Sequence, residues 1–439
     1  MKVLIVAYNF PPVSSAGVWR PLKLAKFLPE HGVRPAVLTV SNPSVPMIDD
    51  ELLERECGND LEVIRAHTLE PSYKLKRAVW ESDADKRAPE LQDLVKSAVM
   101  STIKSFLFPD PQVLWLPHAV GKLTSRVLEK KDDVIFISAP PFSQFLLAPF
   151  QKLNKEQALV LDYRDEWIMY RNTYEMMGKL GALLGGPVEK ILVHKADMIT
   201  TATEQFRENL IEQFPNLDPT KIVAIPNGYD PADLPNLDTE PPTDKLTITY
   251  AGTVFKLTRP KAFLNAIRWV AERSPELIKH LRVNFYGRIV DTERYLFEGL
   301  EKLGVEQHGV VDKPTVMRAQ KASHMVLCTL DDVPGNERIY PGKIFELMLL
   351  KRPVLVVAPE GALSELCHKH QLGNAFLPDD TGKIADFLEA QIKAFKNGTY
   401  KSEQPVKNIE KFHRKAQAGE FKAVFEEAMA RRKRAKARR

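Results

Sequence analysis

Cysteine is scarce in this chain: Cys57, Cys328 and Cys367 lie far apart and are odd in number. That pattern excludes a disulfide framework and points to a reducing compartment. No Cys-x-x-Cys pair is present, and Cys367-His368-Lys369-His370 has no second ligand cluster to complete a zinc site. No Asp-x-Asp pair falls in a donor loop, so no metal site is expected. The Gly-x-Gly-x-x-Gly pattern after the first strand is missing too, which argues against a dinucleotide-dependent dehydrogenase. Long apolar runs are also lacking. None approaches the roughly 18 residues that a membrane-spanning helix needs. The opening Met1-Lys2-Val3-Leu4-Ile5-Val6-Ala7 is too short for a signal segment and reads as a buried first strand. A cytoplasmic protein, at most peripheral to a membrane, is expected.

What is present suffices for two domains. The chain has 439 residues and is 44% hydrophobic, more than one core usually organises. Its net charge of +5 is unevenly placed, because seven positive charges crowd into Arg431–Arg439 and leave the remainder weakly acidic. The body is therefore no basic nucleic-acid platform. The tail reads as a frayed, solvated terminus, and it is also the part that could draw the protein to an anionic membrane.

Strands alternate with helices along the chain, the signature of a parallel sheet. Strand candidates in the first half are Val3–Ala7, Arg34–Val40, Leu61–Arg65, Val134–Ser138, Ala158–Asp162, Met198–Ala202 and Ile222–Ile225. Prolines and turn residues from Pro226 to Pro242 then interrupt the rhythm. Alternation restarts with Leu246–Ala251, Arg282–Tyr286, Met325–Cys328 and Pro353–Val357. The expected division is 1–230, a linker over 231–245, a second domain over 246–404, a helix over 405–430 and a basic tail over 431–439. A helical stripe, Leu94 to Leu107, with Lys96 and Lys104 beside it, reads as packing onto the first domain or as a membrane-surface helix.

The most informative segment runs from Tyr340 through Pro341-Gly342-Lys343-Ile344-Phe345-Glu346 to Leu355. Proline and glycine at a helix start leave backbone N–H groups facing outward, and the helix dipole adds positive potential there. A diphosphate fits such a start, with Lys343 to neutralise it. Glu346, about one turn on, has the reach and the acceptor capacity for the vicinal hydroxyls of a ribose. An ordinary helix cap would leave the same trace.

This segment resembles the donor-binding helix of glycosyltransferase family 4. The resemblance extends in order through Ala7-Tyr8-Asn9-Phe10-Pro11-Pro12, Ala16-Gly17 to Gly32, Ser138-Ala139-Pro140-Pro141-Phe142-Ser143, Asp162-Tyr163-Arg164-Asp165-Glu166-Trp167, Ile225-Pro226-Asn227-Gly228-Tyr229-Asp230 and Tyr250-Ala251-Gly252-Thr253. It implies an α/β chain of GT-B type: two Rossmann-like doubly wound domains facing a cleft, with a C-terminal helix crossing back to the first. It also implies a sugar transferase using a nucleotide-diphosphate-sugar donor and a saccharide or lipid-linked acceptor, with retention of configuration, in surface-glycan assembly.

By the same resemblance Gly17 approaches the donor diphosphate. Gly252 and Thr253 end a strand beneath the cleft, while Arg259 and Lys261 match a phosphate-neutralising pair that a surface salt bridge would explain equally well. Gly287, with Tyr286 and Arg288, and the loop His308-Gly309-Val310-Val311 match nucleotide-receiving turns. Gly342, Lys343 and Glu346 complete the donor set. Many retaining members carry two glutamates separated by seven residues; here the position eight before Glu346 is Arg338, and Glu337 stands one place off. His118, Asp165 and Glu166 are acceptor-side candidates for holding or deprotonating a hydroxyl, although ion pairing between Arg164 and its acidic neighbours accounts for that loop too. The rival readings are a nucleotide-sugar 2-epimerase of the same fold and a non-catalytic scaffold that uses its basic tail.

Overall fold

Strands β1 (Lys2–Val6), β4 (Val134–Ala139) and β5 (Ala158–Tyr163) are almost wholly apolar, and a strand of that kind is stable only with both faces covered. In the computed structural model, which describes residues 1–76, 107–167, 179–234 and 239–437, they form the centre of a seven-stranded parallel sheet. Its order is β3-β2-β1-β4-β5-β6-β7, with β2 at Arg34–Val40, β3 at Glu62–Ala66, β6 at Met198–Thr201 and β7 at Ile222–Ala224. Period-two alternation splits the core: Leu4 and Val6 face a cluster with Trp115 and Leu123, while Val3 and Ile5 face one with Leu22 and Phe425.

A second sheet repeats the scheme. Its six parallel strands run β10-β9-β8-β11-β12-β13, with β8 at Leu246–Ala251, β9 at Leu281–Tyr286, β10 at Val305–Gly309, β11 at Met325–Thr329, β12 at Val354–Val357 and β13 at Gly373–Phe376. Helices Lys261–Arg273 and Thr381–Lys396 cover one face, and Lys343–Leu350 and Ala362–His370 the other. Each sheet thus follows the doubly wound order, in which the strand sequence reverses at one internal pair: β1/β4 in the first and β8/β11 in the second.

The chain divides into two compact units, Met1–Ile225 with Arg414–Arg439, and Pro226–His413. The second unit thus begins at Pro226, ahead of the 231–245 linker expected from proline content, and the first unit resumes at Arg414, within the 405–430 helix implied by the resemblance. Residues after Ile225 are fastened to the second unit: Tyr229 N–H donates to Phe412 O at 2.9 Å, and the buried Arg352 guanidinium donates to Thr239 O at 3.4 Å, Ser402 O at 3.2 Å and Lys321 O at 2.9 Å. A proline-rich segment with no periodicity of its own is placed by such long-range bonds, which local sequence does not reveal.

The C-terminal helix, Arg414–Ala437, belongs to the first unit. Its buried Ala418, Phe421, Val424, Phe425 and Ala428 recur at three- and four-residue spacing, the stripe a surface helix turns to its core. Phe421 and Phe425 each meet Phe136 of β4 edge-on with centroids 5.5 Å apart. The helix runs well past the expected end at 430. Arg431 donates to Asp218 at 2.8 Å and to Thr220, Arg432 to Lys155 O at 3.0 Å, and Lys436 to Glu156 at 3.1 Å. The basic tail is thus ordered as helix through Ala437, because carboxylates and carbonyls of the first unit receive its charges. The Leu94–Leu107 stripe lies outside the described residues except for Leu107. Among the described residues no helix is long and apolar enough to cross a membrane. All three cysteines are free thiols.

Candidate functional site

Parallel doubly wound sheets offer ligands a crevice at the carboxyl ends of the strands beside the reversal point. In the second unit that place is the end of β8, where Tyr250-Ala251-Gly252-Thr253 leaves the sheet. Gly252 has φ +140° and Gly287, after β9, has φ +120°; both lie where side-chain-bearing residues are strained. A Cβ on Gly287 would strike the Gly252 carbonyl. The absent side chains let three turns lie side by side, stitched by Gly252 N–H to Tyr286 O at 2.9 Å and Gly287 N–H to Gly309 O at 2.6 Å.

Lys343 opens the helix Lys343–Leu350 and reaches this point. Its ammonium sits 3.8 Å from the Tyr250 ring centroid and donates to Ala251 O at 3.1 Å. The ring face and a carbonyl oxygen hold the cation, and among the described residues no carboxylate pairs with it. Gly342, just before it, is exposed, and a Cβ there would meet nothing within 4 Å, so the helix start is open. Glu346 follows one turn later and accepts from Lys313 Nζ at 2.8 Å. Lys313 was not singled out in the sequence, because no local pattern ties it to a residue 33 positions away.

The remaining donor-side candidates are placed as follows. Arg259 makes a bidentate pair with the buried Glu293, 2.7 Å for each bond, and lies 3.7 Å from Asp331. Its charge is thus paired within the protein. Arg259 and Lys261 line a cavity of about 690 Å³ with Tyr295, Asp331 and Glu360; among the described residues its lining does not include Lys343 or Glu346. Glu337 turns back on its own loop, accepting from Gly335 N–H at 2.8 Å and pairing with Arg338. Beside it Asn336 Nδ2 bridges Leu257 O at 3.0 Å and Asp331 O at 2.8 Å, joining the loops after β8 and β11. In the loop after β10, Val310 is 77% exposed and Val311 half-buried. His308 stacks on Tyr286 with centroids 4.4 Å apart and donor–acceptor contact to Asn284 Oδ1 at 3.0 Å.

In the first unit Gly17 lies in a 3-10 turn, Ala16–Val18. A Cβ there would sit 3.0 Å from both Arg164 Nη1 and Asn9 Nδ2. Arg164 donates to the carbonyls of Gly17 and Pro140, and to that of Ala139 at 3.3 Å, so its guanidinium clamps the turn to the end of β4. Of its acidic neighbours, Glu166 is buried and accepts from Asn209 at 3.1 Å, and Asp165 is exposed. His118, exposed on helix Leu116–Leu128, meets His67 edge-on at 5.6 Å.

The motif residues Asp162, Arg20 and Ser138 form a buried framework. Asp162 is fully buried and bonded by Arg20, at 2.7 Å in the closest contact, by Ser138 Oγ at 2.6 Å and by Thr200 Oγ1 at 2.7 Å. Burial alone would raise its pKa, yet Arg20 and the two hydroxyls hold it below the ordinary carboxylate range.

No protein-family model matches the chain, and a search of curated proteins finds no match. Solved structures do match along nearly its whole length. Sucrose-phosphate synthase from Thermosynechococcus elongatus aligns with TM-score 0.61 at 13% identity, over 98% of this chain and 99% of that one. HepE from Anabaena, in complex with UDP and glucose, aligns with TM-score 0.59 at 14% identity, over 97% of this chain and 99% of that one. A Listeria monocytogenes protein assigned as a UDP-N-acetylglucosamine 2-epimerase aligns with TM-score 0.51 at 13% identity, over 96% of this chain and 95% of that one. The chain has the GT-B fold, two Rossmann-like α/β units in tandem.

Proposed function

We propose that the chain is a glycosyltransferase that takes a sugar from a nucleotide-diphosphate-sugar and passes it to a saccharide or lipid-linked acceptor in glycan assembly. The observation that carries this reading is Lys343: an ammonium that pairs with no carboxylate among the described residues, held at the end of β8 beside the reversal point, with a carboxylate one helical turn behind it. Cleaving an anomeric C–O bond develops negative charge on the departing diphosphate, and preorganised cations and helix N-termini stabilise it. The Gly252 and Gly287 turns let that diphosphate approach the backbone. Glu346 takes the ribose hydroxyls, and the His308–Val311 loop takes the base.

Arg259 is the weaker donor-side candidate, since phosphate would have to compete with Glu293 and Asp331. Glu337 is proposed to contact the donor sugar, which requires it to leave Arg338. On the acceptor side the exposed Asp165, next to the Arg164 that clamps the Gly17 turn, is the proposed base, with His118 the alternative. No cofactor is required in this reading, and configuration is retained by a front-face route. The 2-epimerase alternative draws support from the Listeria likeness and shares the donor chemistry but no acceptor.

The test is a thermal-shift screen of UDP-, ADP- and GDP-sugars, followed by product analysis of the stabilising donor with and without acceptor glycans. A donor at a hundred times its dissociation constant stabilises by about 2.7 kcal/mol. Transfer to an acceptor supports the reading; isomerised donor without transfer selects the epimerase; no stabilisation by any donor overturns both.

A further inference from the structure

Resting on the donor-site reading above, we propose that Lys313 is a positioning residue that fixes the Glu346 carboxylate for the ribose diol and so sets the preference for ribonucleotide over deoxyribonucleotide donors. Lys313 is the first residue of helix Lys313–Lys321, directly after the His308–Val311 loop. That helix start is firmly made: Asp312 caps it, accepting from Thr315 N–H at 2.8 Å and from Thr315 Oγ1 at 3.0 Å. The anchored backbone delivers Lys313 Nζ to Glu346 Oε1 at 2.8 Å across two helices.

The pair is 37% and 31% exposed, and at such exposure an ion pair contributes little to stability. Its geometric effect is larger. An ionised carboxylate offers about four acceptor sites on two oxygens; one ammonium on Oε1 leaves Oε2 and the second Oε1 site directed for a ligand. Because Glu346 lies three residues after Lys343, the two share a face, about 4.5 Å apart along the helix axis. Diphosphate at Lys343 and ribose at Glu346 then follow in the order of a nucleotide, and the base falls toward the loop that precedes Lys313. Fixing the carboxylate before the ligand arrives removes an ordering cost from binding.

Calorimetry of wild type, Lys313→Met, Lys313→Arg and Glu346→Gln with UDP, ADP and GDP, each against its 2′-deoxy analogue, tests this, with the melting temperature of each variant recorded. Lys313→Met is expected to weaken the bound ribonucleotide about tenfold and the deoxy analogue by less than twofold, with Lys313→Arg restoring most of the difference. Equal weakening of both analogues, or none, overturns the inference while a loss of preference in Glu346→Gln leaves the donor reading standing. An unchanged preference in Glu346→Gln, or no nucleotide binding in wild type, overturns both.

Discussion

Replacing Phe425 by alanine probes the C-terminal helix at its centre. Phe425 is fully buried, edge-on to Phe136 at 5.5 Å and 6.2 Å from Phe421. Deleting a buried phenylalanine ring costs about 3–5 kcal/mol, since the transfer free energy is lost and the cavity collapses only in part. For a unit of this size each kcal/mol lowers the melting temperature by about 2–4 °C, so a fall on the order of 10 °C is expected in the transition of the first unit. Truncation after Glu410 removes both phenylalanines with Val424 and uncovers that face of the sheet, so the unit should lose cooperative unfolding. Truncation after Ala430 removes exposed or half-exposed pairs such as Arg431–Asp218, each worth about 0–1 kcal/mol, and should cost only a few degrees. Scanning calorimetry with near-ultraviolet dichroism resolves the two units. A Phe425→Ala transition within 2 °C of wild type, or an Ala430 truncation as damaging as Phe425→Ala, would refute the reasoning.

Two further outcomes follow from the second unit. His324 is buried, its Nδ1 accepts from Thr247 N–H at 3.0 Å, and burial with the Arg352 charge brings its pKa down from 6.5 to about 4. The unfolded chain therefore binds a proton that the folded chain refuses between about pH 6.5 and 4, so stability falls through that window, by about 3 kcal/mol at its lower end; urea titrations at pH 7 and 4.5 should show a smaller drop for His324→Asn than for wild type, and identical drops would reject the assignment. Arg259→Ala strands the buried Glu293 carboxylate and should destabilise the second unit by about 2–3 kcal/mol, with Glu293→Gln added to it restoring most of the loss; unchanged melting with weakened donor binding would instead return Arg259 to the phosphate.

The central strands were legible because they are continuous apolar runs: Arg34–Val40 and Leu246–Ala251 were placed to the residue, and the others within a residue or two at each end. Strands β10 and β13 were missed. Both are sheet edges; β10 buries only Val305 and β13 none of its residues, so neither leaves an apolar run to read. The same limit governs the site. Lys343 and Glu346 share one helix, so their relation was visible in sequence, whereas the Lys313–Glu346, Arg259–Glu293 and Arg164–Gly17 contacts join residues 33, 34 and 147 positions apart. Spacing carries no record of such pairs. The tail misled for a related reason: a run of basic residues resembles a solvated terminus unless its distant carboxylate partners, here Asp218 and Glu156, are known.

The central claim is that Lys343 receives the diphosphate of a nucleotide donor. Calorimetric titration of wild type and Lys343→Ala with the nucleoside diphosphate of the stabilising donor and with its parent nucleoside tests it most directly. The account predicts at least a tenfold loss of diphosphate affinity, about 1.4 kcal/mol or more, with nucleoside affinity changed less than twofold. Equal losses for both ligands, or none for the diphosphate, would contradict it.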